Sequence, residues 1–576
     1  MTDQKNLLVA IVLSVAIIVL WQVLFPGSLT GGGDTQQSSD PVATAGGTAP
    51  LDPGGVIPGL AGPSVADVAD RASVLAADPR IAIATPALSG TLRLTGARID
   101  DLTLLRYGQT TEPDSDRIVL LSPEGTAAPY FAQTGFLAAE ANVALPDATS
   151  LWQADADVLT QDRPITLTWD NGQGLRFERV IAVDSNYMFT VSDRVTNQSG
   201  DAVTLFPFSL VRRIGTPDTL GFFILHEGPI GVLNENLEQL DYDDLRDDRT
   251  IAERTTGGWI GITDQYWMAA LVPDQNAPVE ARFAYEDQTG RDVYQTDVRG
   301  EAMALAPGDS ATTTSRIFAG AKVLRLLDAY QADLGIDRFE LAVDFGLFFF
   351  LTKPIFLALR WISEHLGNFG FAILVLTVGI KLAFFPLASR SYRSMAKMKE
   401  LAPELKVLRD QYKDDRARQQ QEMMALYKKH GANPVSGCLP ILLQIPVFFA
   451  LYKVLFVTIE MRHEPFIGWI NDLSVADPTN IFTLFGLLPD WVPFDFMHLG
   501  LWPLIMGVSM YLQQKLNPQP PDPMQARIMM MLPIVFTFVL ARFPAGLVIY
   551  WAWNNILSIA QQWAINRRVA REGSKT

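Results

Sequence analysis

The chain has 576 residues, and 62 Asp and Glu against 46 Lys and Arg give a formal charge of −16. That acidity argues against a nucleic-acid-binding protein, whose domains carry a basic footprint. A single cysteine, Cys438, excludes an intramolecular disulfide framework and a CxxC redox or zinc-ribbon site, and five scattered histidines without an HExxH argue against a metal-centred enzyme. The charge is unevenly spread. Positions 30–345 hold 46 acids and 22 bases, which leaves 16 acids and 24 bases elsewhere.

Leu7 to Phe25 is apolar apart from Ser14 and Gln22, about 19 residues and enough for one bilayer crossing. The competing reading is a cleaved signal peptide, whose apolar run spans only about 7–15 residues before a small-x-small site. The longer run here, followed by Trp21-Gln-Val-Leu-Phe-Pro26, favours an uncut anchor over 1–26. Residues 27–75, rich in Gly, Pro, Ala, Ser and Thr, read as a flexible tether.

Over 76–335 the pattern changes to short alternating stretches. Ile165-Thr-Leu-Thr-Trp169 and Leu175 to Val183 flank Asp170-Asn-Gly-Gln-Gly174, a strong hairpin signal. Tyr187 to Val195 alternates again, and many such strands predict an all-β sandwich. Asp241 to Asp248, with five acids in eight residues, reads as a solvated loop.

Beyond 345 the hydrophobicity becomes continuous. Residues 345–361 are apolar but interrupted by Lys353-Pro354, which predicts an amphipathic helix in the membrane interface. Spanning helices are expected at 368–388, 438–459, 499–516, 526–542 and 545–564, making six crossings with the anchor. The fold class is thus a multi-domain membrane protein: a six-crossing helical bundle, an all-β outer domain and a helical hairpin on the inner side.

Eleven Lys and Arg against six acids in 389–430, and a basic tail over 567–576, belong in the cytoplasm by the positive-inside rule. Residues 460–498 hold one Arg and six acids and belong outside. Six crossings then place both termini inside and the acidic β region outside, in the periplasm of a Gram-negative inner membrane. Between the first two core crossings, 391–430 shows apolar positions at 395, 398, 401, 405 and 408 and then a second helical run from Gln421 to Tyr427. These form a helical hairpin with a turn at Lys413-Asp-Asp-Arg416. It is either a solvated connector or a docking arm presenting Lys397, Lys399, Lys406, Arg409 and Lys413.

Several long motifs occur in a recognisable order. They are Ser394-Met-Ala-Lys-Met-Lys399, Glu422-Met-Met-Ala-Leu-Tyr-Lys428, Asn433-Pro-Val-Ser-Gly-Cys-Leu-Pro440 and Gln444-Ile-Pro-Val-Phe-Phe-Ala-Leu-Tyr452. Asp522-Pro-Met-Gln525, Phe543-Pro-Ala-Gly-Leu-Val-Ile-Tyr550 and Asn554-Asn-Ile-Leu-Ser558 continue the series. Together they resemble the YidC/Oxa/Albino family of membrane protein insertases over about 345–566, and less firmly over the β region through Thr168 to Gly174 and Trp259 to Pro273. The resemblance implies insertion and folding of transmembrane segments, alone or beside the Sec translocon, with no enzymatic activity, no cofactor and no metal. The implied partners are nascent membrane proteins, the Sec translocon and its accessory subunits, the ribosome and signal-recognition targeting machinery, and membrane lipids. No specific nucleic-acid sequence is among them.

Lys381 is the charge to explain. As the thirteenth residue of a 369–387 span it lies roughly 18 Å from the outer end and roughly 9 Å from the inner end. Its stem can snorkel to the headgroups, or its charge can face a water-filled cavity. Thr377 lies one turn away, Gln444 contributes an amide, and Tyr550, Asn554, Ser558 and Gln562 are spaced by four along the last crossing. Such residues also serve as packing glue between helices, but with Lys381 they fit a hydrophilic substrate groove. The family carries a basic residue at this place, commonly Arg in Gram-negative members. Lysine keeps the charge without the planar fork. Pro446, Phe448 and Met530 are expected on a greasy surface along which the client slides, Met being adaptable. Lys453 lies nearer the outer end and reads as snorkelling. No GxxxxGK[ST] is present, so nucleotide hydrolysis is not the driver. The rival function is a secondary transporter of a small anion held by Lys381. Such proteins commonly show internal repeats and paired broken helices, and neither is visible.

Overall fold

A computed structural model describes residues 68–219, 225–288, 290–346, 349–413, 415–430, 439–484, 498–517 and 523–573. The expected anchor over 1–26 and most of the 27–75 tether lie outside them, as does Asn433 to Cys438. The chain divides into two compact units. Among the described residues, one comprises 68–346 with Phe456–His463, and the other 349–455 and 464–573.

The first unit is β-rich, with two large sheets among its described residues. The eleven-stranded sheet runs Thr250–Thr256, Pro278–Gln288, Arg291–Arg299, Val203–Ile214, Tyr130–Ala138, Arg98–Gly108, Leu88–Arg93, Arg80–Ala84 and Val158–Leu159, with two further strands pairing inside that path. The nine-stranded sheet runs Asn236–Gln239, Gly228–Leu233, Trp259–Thr263, Trp267–Val272, Ser310–Ala321, Met188–Asn197, Leu175–Val183, Ile165–Asp170 and Gln153–Ala154. They pack face to face: the Tyr130 hydroxyl on one donates to the Ile262 carbonyl on the other at 2.9 Å. The Asn-Gly signal is realised as an antiparallel hairpin joining Ile165–Asp170 to Leu175–Val183, with Asp170 opposite Arg176. Leu175–Val183 alternates buried and open positions, the period of a half-buried strand. A cluster of rings in the core joins Tyr187, Trp259, Phe318 and Phe339 to Tyr330 of the helix Leu324–Leu334.

Two local expectations change. Residues 71–76 form a helix capped by Asp70 instead of continuing the tether, and Arg71 is anchored by an ion pair to Asp101. Asp241 to Asp248 is not a loop: Tyr242–Asp248 is helical, with Asp243 and Asp244 in its first turn and Tyr242 and Leu245 buried. Acids at a helix start are favoured by the dipole, so a charge run that looks solvated is also a good first turn.

Gly258 sits at φ +78°, and a β-carbon there would stand 2.0 Å from the Val232 carbonyl oxygen. Backbone cannot retreat as a side-chain tip can. Gly258→Ala is therefore expected to destabilise this unit by about 2 kcal/mol or more. Thermal unfolding followed by intrinsic fluorescence should show its transition lowered by roughly 4–8 °C.

The second unit is helical. Its helices are Phe349–Leu366, Phe369–Ala383, Phe385–Glu400, Ala402–Gln411, Arg416–Lys429, Leu439–Val457, Leu501–Leu516, Pro523–Leu540 and Ala545–Gly573. The expected spans correspond to helices with shifted ends, and the last runs on to Gly573. The expected 368–388 span breaks at Phe384, where Phe369–Ala383 and Phe385–Glu400 meet at 68°. Pro386 explains the break, since it lacks the N–H a continuous helix needs and crowds the preceding turn. The 391–430 region contains parts of three helices and not two, because Pro403 restarts the chain after Leu401. Among the described residues, no single helix is both long and apolar enough to cross a membrane by itself, although this bent pair passes as a broken span.

Candidate functional site

Five helices of the helical unit converge on one cavity. Asn368 starts the first of them by capping: its side-chain oxygen accepts from the Phe371 N–H at 3.0 Å. The helix then runs apolar to Lys381 in its last turn, where a cation complements the carbonyl end of the dipole. Gln444 comes from Leu439–Val457, Gln513 and Asn517 from the end of Leu501–Leu516, and Tyr550, Asn554, Ser558 and Gln561 from the last helix. Tyr392 and Met395 close one side from Phe385–Glu400, packed against Ile565.

The cavity measures about 110 Å³. A water needs roughly 10–15 Å³ of such space and two or more polar partners, so this site has room for several. The Lys381 ammonium donates to Ser558 Oγ at 2.7 Å and to Gln444 Oε1 at 3.3 Å. Gln444 Nε2 in turn donates to Asn554 Oδ1 and reaches the Tyr550 hydroxyl at 3.5 Å. Ser558 Oγ donates to the Asn554 carbonyl at 2.8 Å. Thr377, buried in the same wall, donates to its own helix at the Ile373 carbonyl, 2.6 Å away. Lys381, Thr377, Gln444, Tyr550, Asn554 and Ser558 thus all line one space. Among the sixteen lining residues there is one cation and no carboxylate. An ammonium has three donors; two meet neutral acceptors, and no acid among the described lining residues neutralises the charge.

Gln562, the fourth member of the expected stripe, is not in the cavity. It is buried, and its amide donates to the Leu516 carbonyl at 3.3 Å, tying the last helix to the end of Leu501–Leu516. Its neighbour Gln561 lines the cavity instead, joined by Gln513, Asn517 and Tyr392, none of which the sequence reading singled out.

Pro446, Phe448 and Met530 lie outside the cavity lining, each half-buried. Phe448 stacks beside Tyr452 and meets Trp551 edge-on at 4.7 Å, so part of its face is committed to packing. The open apolar surface of Pro523–Leu540 is carried by Met531, Ile534 and Phe538. Lys397, Lys399, Lys406 and Lys413 are exposed and Arg409 is half-buried. The helices Ala402–Gln411 and Arg416–Lys429 meet through Gln419, whose amide donates to the Arg409 carbonyl at 3.0 Å. Among the described residues, no group of three or more His, Cys, Asp or Glu is placed to hold a metal.

Residues 361–572 match the family described as the 60Kd inner membrane protein, and residues 80–358 match the YidC periplasmic domain. The membrane protein insertase YidC of Methylorubrum extorquens is 50% identical over 98% of this chain and 95% of its own length. The relative from Beijerinckia indica is likewise 50% identical, over 98% and 96%, and that from Granulibacter bethesdensis is 48% identical over 98% of each. The helical part is thereby that of an inner-membrane protein and the β part a periplasmic domain. With half of its residues shared along nearly its whole length, the chain belongs to the YidC family of membrane protein insertases.

Proposed function

We propose that the Lys381 cavity is the groove through which this insertase passes the polar N-terminal tail of a newly made membrane protein. The observation that carries the reading is a lone cation in a cavity with room for several waters and with no carboxylate among its lining residues. Holding polar or acidic groups at membrane depth is expensive unless they are hydrogen-bonded. Water, the ammonium and the amides of the groove supply those bonds. The client's apolar segment meanwhile lies against the greasy surface that includes Pro446, Phe448 and Met530, then partitions into lipid. In this reading the chain crosses the inner membrane six times with both termini in the cytoplasm. The 391–430 hairpin, through Lys397, Lys399, Lys406, Arg409 and Lys413, docks the ribosome and the signal-recognition machinery. The Sec translocon and its accessory subunits meet the protein from the membrane and the periplasm.

The test replaces Tyr550 with a photocrosslinking phenylalanine, aromatic for aromatic, in membranes given stalled ribosomes that present a short membrane protein. A crosslink that appears at a defined chain length and vanishes after release is the expected result. Crosslinks from a probe at exposed Ile534 but none from Tyr550 would mean that the polar residues merely hold helices together.

A further inference from the structure

The Gln561 Nε2 atom is buried against the cavity and has no hydrogen-bond partner among the described residues. Leaving a buried donor unpaired costs about 1–3 kcal/mol, and folded proteins tolerate few of them. The neighbours show that the chain can satisfy such an amide here: Gln562 finds the Leu516 carbonyl and Gln444 finds Asn554. Gln561 stands three residues beyond Ser558, the residue that holds Lys381, which is roughly 4.5 Å further along the helix axis. It is eleven residues from Tyr550, about three full turns, and so lies on the same face of the helix roughly 16 Å further along the axis.

Resting on the groove reading, we propose that the Gln561 amide is a specificity-determining contact for the client, donating to a backbone carbonyl oxygen of an uncharged polar tail. Lys381 serves carboxylates, while Gln561 supplies the neutral donor that a Ser-, Gly- or Gln-rich tail needs. On the cytoplasmic side of Lys381, as the proposed orientation has it, Gln561 meets the entering chain first. The groove therefore accepts tails without acids, which a lone ammonium would not select.

The experiment uses the full chain in proteoliposomes and a short single-span client whose N-terminal tail carries no acid. Gln561→Leu removes the donor, Gln561→Glu keeps the shape as an acceptor only, and Gln561→Lys is a donor only. Insertion is expected to fall roughly three- to tenfold for Leu and Glu, the worth of one hydrogen bond, and to stay within about twofold of the parent for Lys. Parent-like insertion by Gln561→Leu would show that water alone satisfies the amide and would overturn the proposal. Equal losses in all three variants would assign Gln561 to packing and overturn it too. The Tyr550 crosslink separates the two readings: if it is absent in the parent protein, the groove itself fails. If it is present while Gln561→Leu inserts normally, only the role of Gln561 falls.

Discussion

Lys381→Ala is expected to lower insertion of a client with an acidic N-terminal tail by roughly ten- to a hundredfold. That is the range for losing a hydrogen bond to a charged group at 1.5–3 kcal/mol. The fold should survive the change. Ser558 keeps its bond to the Asn554 carbonyl, and Gln444 keeps Asn554 and Tyr550, so no group is stranded except the Gln444 carbonyl oxygen, which faces a cavity that admits water. Lys381→Arg should insert such a client nearly as well as the parent, because the charge persists in a site whose protein partners, Ser558 and Gln444, are neutral. Protease protection of the translocated tail in proteoliposomes reads the result. Normal insertion by a stable, well-folded Lys381→Ala protein would sink the groove mechanism.

The second large effect lies in the β unit. Arg179 and Asp193 stand opposite each other on neighbouring strands. The guanidinium donates to both carboxylate oxygens, at 2.6 and 3.2 Å, while lying 5.0 Å over the Trp152 ring. Arg179 is 1% exposed and Asp193 5%. Removing one partner leaves the other charge buried and uncompensated, so Arg179→Met should cost about 3–5 kcal/mol. For a unit of this size that lowers the unfolding transition by roughly 6–20 °C. Replacing both, Arg179→Met with Asp193→Leu, should recover most of the loss or exceed the parent, since the pair's attraction only offsets its own desolvation. A single variant that unfolds at the parent temperature would show that water reaches Asp193.

Much of the candidate site was legible because it was written in residue types that membranes make conspicuous. A lysine inside an apolar run and an amide at Gln444 stand out without any structure. The stripe was read with a period of four, and that is where the reading drifted. At about 100° per residue, each step of four advances the face by about 40°, so Gln562 stands about 120° from Tyr550. Gln561 returns to within about 20° of it. The signal was present in the adjacent pair Gln561-Gln562, and a period of 3.6 would have chosen the right member. Tyr392, Gln513 and Asn517 were not legible, because they reach the cavity from two other helices, Tyr392 from the middle of Phe385–Glu400 and the other two from the end of Leu501–Leu516. In the β unit, alternation announced the hairpin after Ile165, whereas Tyr242–Asp248 hid its helix behind its charge. The break at Phe384 was foreshadowed by Pro386, which the hydropathy of the expected span outweighed.

The two sheets finish in unpromising strands. At one end of each lies a two-residue strand, Val158–Leu159 or Gln153–Ala154; at the others lie Asn236–Gln239 and Thr250–Thr256, the latter carrying Glu253 and Arg254. Open strand edges are templates on which any extended chain can add itself through its backbone. An insertase handles extended, greasy chains for its living, and long bare edges would collect them. Short and charged borders make the domain a poor seed for such adhesion, so a domain built largely of sheet can work among unfolded neighbours without becoming part of their aggregates.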